Sequence, residues 1–293
     1  MQQRSQTAVE MGSAVASFEH VSRRSVLGGL WALAQLASTA AVSLTGCGGE
    51  GTTPVATGEV PQDAVPPTAH AANSASIRRP SLGAHSLVYN RDGVAVAPLS
   101  TPPMGTRAAS STMLVCVGRG IVSTHGTPSD GNANVYIRQG STHVYTMWPT
   151  SGTALYACAK AAGGAGQVVS VPKPVATDET TLSVVEVVNG GAIVDVKWNE
   201  VLAGNPLTSR NVTTTGPALL VAWWWGDAGV DFEKTAVPDN KFTVIDSVLL
   251  EGALVQCAVA VRRVNSAGKY RVTWTASPIQ GAQLWIAVVQ YAA

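Results

Sequence analysis

An all-β sandwich is the fold this sequence predicts, and three observations predict it. Hydrophobic residues make up 46% of the 293-residue chain and charged residues only 13%. That balance, rich in Val, Thr, Ser and Gly, suits sheets packed face to face better than a helical bundle. Past residue 50 the apolar residues fall in runs of strand length bounded by Gly, Pro, Asn and Asp, with no convincing helical period. Several of those runs recur in the same order about 100 residues further along.

The chain begins with a polar stretch, residues 1–20. Ser22-Arg23-Arg24-Ser25-Val26-Leu27 follows, then a moderately apolar run from Gly28 to Leu44 that ends in Leu44-Thr45-Gly46-Cys47. A charged start, an apolar middle and small residues at the cut form the plan of an export signal. Gly28, Gly29, Gln35, Ser38, Thr39 and Ser43 interrupt the run and make it a poor permanent membrane span. The paired arginines resemble a twin-arginine export signal. Leu-Thr-Gly-Cys resembles the lipobox of bacterial lipoproteins, in which the cysteine thiol receives diacylglycerol and becomes the new N-terminus. The resemblance implies that residues 1–46 are a signal peptide read through Arg23 and Arg24. It also implies lipidation at Cys47, and a membrane partner held through acyl chains on the extracytoplasmic side of the cell envelope. Gly48 stands where an aspartate would resemble an inner-membrane retention mark, which favours the outer membrane, at its periplasmic face or the cell surface.

Residues 47–80 read as the lipidated cysteine and a flexible tether, because Pro, Gly, Thr and Ala dominate without apolar period. Residues 81–293 are the β body. The formal charge of the chain is +1, and the signal carries three arginines against two glutamates, so the rest is neutral. A neutral body without a basic run excludes nucleic acid as the expected partner.

Within the body four segments pair up. Met113–Gly118 resembles Leu219–Trp224, Tyr156–Ala159 resembles Val255–Ala258, Gly166–Val171 resembles Gly268–Thr273, and Leu182–Val188 resembles Leu284–Gln290. Half-repeats of about 108–190 and 213–291 follow. In Lys269–Thr275 the larger apolar residues Tyr270, Val272 and Trp274 alternate with polar ones, as in a strand with one wet face. Leu219–Gly226 and Leu284–Ala292 are apolar on both faces and predict strands covered on both sides. Two architectures satisfy the pattern: one jelly-roll-like sandwich in which the halves interleave, or two tandem immunoglobulin-like sandwiches. The join, near residues 196–216, lacks a Pro/Ser-rich linker and favours the single body.

The run Ala267-Gly268-Lys269-Tyr270-Arg271-Val272-Thr273-Trp274 before a final apolar strand, and a small-residue turn before an apolar strand, resemble a duplicated β-sandwich module of secreted and cell-surface bacterial proteins. The resemblance covers most of residues 108–291. It implies a fold and carries no chemistry.

Candidate sites are few. Trp223, Trp224 and Trp225 stand in a row before Gly226 and Asp227. Strand geometry puts Trp223 and Trp225 on one face, and Trp225, beside a loop, is expected to be the most exposed. An indole offers a flat apolar face to the C–H face of a sugar, or fills a core. Trp198-Asn199-Glu200 and Met147-Trp148-Pro149 sit at expected loop edges, where polar groups beside an indole suit sugar hydroxyls. Trp223, Trp225, Asp227, Trp198, Asn199 and Trp148 are therefore the ligand-binding candidates. Asp130, Asn132 and Asn134 place oxygens at alternate positions, like the opening of a calcium loop, without the later acidic ligand. Turn chemistry explains them equally. Asp178-Glu179 reads as a surface acid pair. Cys116, Cys158 and Cys257 lie in apolar strands and read as buried thiols, with a Cys116–Cys158 bridge as the alternative. No Gly-x-Ser-x-Gly, His-Glu-x-x-His or CxxC motif occurs, and neither catalytic residue nor cofactor is assigned. A non-catalytic binding or adhesion module, with glycans as the ligand class, is the leading expectation. A polysaccharide hydrolase and a structural envelope component with a protein partner are the alternatives.

Overall fold

Apolar β-branched and aromatic runs become strands wherever both faces can be covered, and here four layers cover them. The computed structural model describes residues 79–90, 97–121, 123, 125–176, 178–227, 234–239, 241–250 and 255–291, all within the unit His70–Ala293. Arg23, Arg24, Cys47 and the tether lie outside the described residues, apart from Arg79 and Pro80. The described residues are mostly strand, with no α-helix.

The first half runs through β1 (Ser81–Asn90), β2 (Leu99–Ser100), β3 (Ser111–Arg119), β4 (Ser129–Asp130), β5 (Ile137–Arg138), β6 (His143–Val144), β7 (Gly152–Ala161), β8 (Val169–Val171) and β9 (Thr180–Val188). The second runs through β10 (Ile193–Gly204), β11 (Leu207–Thr208), β12 (Val212–Thr214), β13 (Ala218–Asp227), β14 (Thr235–Pro238), β15 (Thr243–Val248), β16 (Val255–Val264), β17 (Gly268–Tyr270), β18 (Thr273–Ser277) and β19 (Gln280–Gln290).

The large sheet of the first half has the order β1-β9-β3-β7-β5, with β6 also on β7; that of the second is β10-β19-β13-β16-β15. The two orders correspond position by position, and the small sheets β2-β8-β4 and β11-β18-β14 correspond as well. The pairings are antiparallel throughout.

The large sheets meet face to face. Leu114, Cys116, Val185 and Val187 of the first pack with Val221, Trp223, Trp225 and Trp285 of the second in one buried core. The outer face of the first sheet is covered by β2 and β8. The outer face of the second is covered by β11, β12, β14 and β18, with Trp274 at its centre. Central strands β3, β9, β13 and β19 are therefore dry on both sides, which accounts for their lack of alternation.

The fold is an all-β sandwich built from two similar halves, with one correction: the halves do not interleave. Each large sheet draws its strands from one half, and the halves share a core by facing each other. A second correction concerns register. The matched segments fall on equivalent strands, but Met113 faces the outer core and Leu219 the shared one. Cys158 likewise faces outward and Cys257 inward. A one-residue slip exchanges the faces of a strand, and a strand apolar on both faces gives no alternation to detect it.

Polar links cross the shared core. Trp223 Nε1 donates to Ser183 Oγ at 2.9 Å, and Trp285 Nε1 to Thr153 Oγ1 at 2.8 Å. Gly118 of β3 makes room for Trp225: a Cβ there would lie 1.8 Å from the indole nitrogen.

Candidate binding surface

Between β6 and β7 the chain makes a short turn that carries the exposed indole of the molecule's first half. Tyr145, at its start, is buried and packs edge-on against Trp225, with centroids 6.1 Å apart and planes at 86°. At its end Ser151 closes the turn. Tyr145 N donates to Ser151 O at 2.9 Å, and Ser151 N and Oγ both donate to Trp148 O, at 2.8 and 2.9 Å. Glu200 on β10 clamps the middle, accepting Thr146 N at 2.7 Å through one carboxylate oxygen and the Thr146 hydroxyl through the other. The residues between the clamps project outward: Met147 is 55% exposed and Trp148 54% exposed, with Pro149 and Thr150 exposed beside them.

Trp198 is partly buried against the shared core, beside the strand that leads into the turn. His143 stacks on it at 3.8 Å and 7°, and meets Trp285 edge-on at 5.0 Å. Burial lowers the His143 pKa below its ordinary value. Gln283 Nε2 donates to His143 O at 3.2 Å and ties the strand to the second half.

The other expected residues lie elsewhere or are already engaged. Trp223 and Trp225 are fully buried, because β13 is an interior strand between β16 and β19 and the first half covers its face. Exposure of Trp225 at a strand end is thus overturned. Asp227 closes β13 opposite Val255, and its side chain lies outside the described residues. Asn199 faces away from Glu200: its Nδ2 donates to Thr208 O at 3.1 Å and its Oδ1 accepts Arg210 N at 2.9 Å, bracing the turn between β11 and β12.

The calcium reading of Asp130, Asn132 and Asn134 fails on the chemistry of the donors. The Asp130 carboxylate accepts from Asn132 N, Asn134 N, Asn134 Nδ2, Tyr136 Oη and Gln167 Nε2, at 2.7–3.2 Å. Burial raises its pKa, but the hydrogen bonds from Tyr136, Asn134 and Gln167 outweigh burial and hold it below the usual range. Asp130 is the hub of a turn. Among the described residues no group of three or more His, Cys, Asp or Glu side chains is placed to hold a metal ion.

Asp178 and Glu179 are buried, against the surface reading. Asp178 pairs with Arg119 at 2.6 Å, both side chains fully buried, and Glu179 accepts Val255 N from the second half. Glu186 accepts Ala84 N, Arg107 N and Ser111 Oγ. All three described cysteines are free and buried. Cys116 and Cys158 point to opposite faces of their sheet, which excludes a bridge between them. No protein-family model matches the chain, and comparison with curated proteins and with solved structures returns no match.

Proposed function

We propose that this protein is a non-catalytic binding module, held to the cell envelope by lipid on Cys47, whose Met147–Thr150 turn contacts glycan. One observation carries the reading: a half-exposed indole stands on a turn fixed by five hydrogen bonds. A large apolar side chain left in water but held rigid costs little further ordering on binding. The indole face suits the C–H face of a pyranose, and the neighbouring Thr150 is exposed. The Ser22–Leu27 and Leu44–Cys47 motifs supply the export and anchoring part of the reading.

A polysaccharide pull-down and glycan array with the full chain test it. Trp148→Ala should weaken binding at least tenfold, as expected of a central tryptophan contact, while leaving the melting temperature within about 2 °C, since the side chain is not core. No binding across a broad panel, or binding that Trp148→Ala leaves intact, would sink the glycan reading. Cys47→Ser should release the protein from the membrane fraction; persistence there without detergent would remove the lipid anchor.

Contact with an envelope protein is the second reading. Val135 and Ile137 beside and on β5, and Val144 on β6, are exposed apolar residues along the edge that leads to the same turn. An apolar row beside an indole also suits a protein partner.

A further inference from the structure

Three strands of the first large sheet end around a cavity of about 320 Å³, lined by Ala109, Ser110, Lys160, Asn189, Gly190 and Tyr291. Ser110 leads into β3, Lys160 lies next to the last residue of β7, and Asn189 follows β9. Tyr291 comes from the second half. Gly191 N donates to Gln290 O at 2.7 Å, which brings the end of β19 beside the turn after β9. The cavity and the Met147–Thr150 turn lie at opposite ends of β7. That turn runs into Gly152 at the start of the strand, and Lys160 is eight residues along it, about 25 Å away.

The backbone around the cavity is disfavoured. Ser110, Lys160 and Asn189 are left-handed, with φ of 66°, 56° and 55°, and among the described residues Ala133 is the one other non-glycine residue in that region. Asparagine adopts it readily, but serine and lysine are opposed there by their Cβ. The sheet does not require it. Ser111 pairs with Ala161 but Met113 with Cys158, so β7 carries one extra residue beside Lys160. The corresponding pair in the second half, β13 with β16, runs from Ala218 opposite Val264 to Asp227 opposite Val255 without a shift. The residue before β13 is Pro217, whose ring holds φ at about −65° and forbids the left-handed region. The first half thus keeps a conformation that the second avoids. Bulges and left-handed residues re-aim side chains, and they gather where a site is built.

The lining supplies one cation, a hydroxyl, an amide and an aromatic ring. Tyr291 is 43% exposed. Ser110 and Lys160 are exposed, and Lys160 forms no ion pair among the described residues. No carboxylate occurs among the described lining residues. Strands β3, β7, β9 and β19 carry one carboxylate between them, Glu186, which is buried and accepts Ala84 N, Arg107 N and Ser111 Oγ. The lone ammonium therefore matches a single negative charge. A phenol ring suits a C–H face, and hydroxyl and amide groups suit hydroxyls. The volume stands near the lower end of small-ligand pockets, about 300 Å³, which suits one sugar ring.

We propose that this cavity is a second ligand site, and that it takes a sugar acid: a pyranose carrying one carboxylate. Lys160 faces the carboxylate, Tyr291 lies against the ring, and Ser110 and Asn189 meet its hydroxyls. The site does not depend on the Trp148 contact. Glucuronate is titrated into the isotopically labelled full chain, following the backbone amides of Ser110, Lys160, Asn189 and Gly190. Glucose, its neutral counterpart, and acetate, a carboxylate without a ring, are titrated in parallel.

Saturable shifts confined to those amides are expected with glucuronate, and binding about tenfold weaker or more with glucose and with acetate. Lys160→Gln should bring glucuronate down to the level of glucose without moving the melting temperature, since the side chain is exposed. Lys160→Arg should keep the preference, and Tyr291→Ala should weaken both sugars. Trp148→Ala should leave glucuronate binding unchanged, which separates this site from the Met147–Thr150 turn. Absence of saturable shifts at these amides, equal affinity for acetate, or a preference for glucuronate that survives Lys160→Gln overturns the proposal.

Discussion

Replacing Trp223 by Phe tests whether the two halves share one core. The indole is fully buried on β13 of the second half, and its Nε1–H donates to Ser183 Oγ on β9 of the first at 2.9 Å. The substitution removes that donor and part of a ring packed among Val185, Val187 and Trp285. The lost hydrogen bond contributes about 1 kcal/mol, and a partial cavity adds one to three more, giving about 2–4 kcal/mol. Ser183→Ala removes the acceptor and should cost about 1–2 kcal/mol. Because each single variant already breaks the same bond, the double variant should lose less than the sum by about 0.5–1.5 kcal/mol. Urea unfolding of the full chain followed by far-ultraviolet circular dichroism reads all four corners of the cycle. Additivity within about 0.3 kcal/mol would deny the hydrogen bond across the halves. Two transitions, only one of them shifted by Trp223→Phe, would refute the shared core.

Three further predictions rest on buried geometry. Gly118→Ala places a methyl 1.8 Å from the Trp225 indole nitrogen and 2.4 Å from Cδ1, and should cost about 1–3 kcal/mol by overpacking; an unchanged melting temperature would show that the indole is not seated there. Arg119→Ala leaves the fully buried Asp178 carboxylate without its cation and should cost about 3–5 kcal/mol, read by the same urea titration; a loss below 1 kcal/mol would show that the pair does not stabilise the fold. Burial, reinforced by the Arg119 charge, lowers the His125 pKa from 6.5 to about 4, so between those values the unfolded chain binds more protons at this residue than the folded one. Its contribution is therefore intact above pH 6.5 and lost progressively as the pH falls toward 4, by up to about 3 kcal/mol. In His125→Gln that part of the acid destabilisation should disappear, and identical pH–stability curves would contradict it.

The fold class was legible because its physics is local. The alternation read in Lys269–Thr275 holds for burial, with Val272 and Trp274 buried and Lys269 and Arg271 exposed, but the run is not one strand: it is divided between β17 and β18, which pair in separate small sheets. The doubly apolar runs became β13 and β19, each covered on both sides. The same feature hid the register, since a strand without alternation gives no sign of which face is which. It hid the burial of Trp225 too: Gly226 and Asp227 follow it in sequence and suggest a strand end, but what covers it is Tyr145 and Gly118 of the other half, brought there only by tertiary packing.

The candidate surface was half legible. The indole of Trp148 beside Pro149 stood out, but Glu200, which clamps the turn, and His143, which stacks on Trp198, carry no local signal for those roles. Asp178 and Glu179 looked like surface acids because charge predicts exposure; their partners, Arg119 and Val255 N, are distant in sequence.

Trp148 is the proposed contact residue, and the indoles of β13 stay in the core. Two-dimensional resonance spectra of the indole N–H groups of the full chain, recorded during titration with an oligosaccharide recovered from the pull-down, test this directly. The Trp148 signal is expected to shift and saturate while those of Trp223, Trp224, Trp225, Trp274 and Trp285 hold still. Movement of the Trp223 or Trp225 signals with Trp148 unmoved, or saturable binding that leaves every indole unmoved, would contradict it.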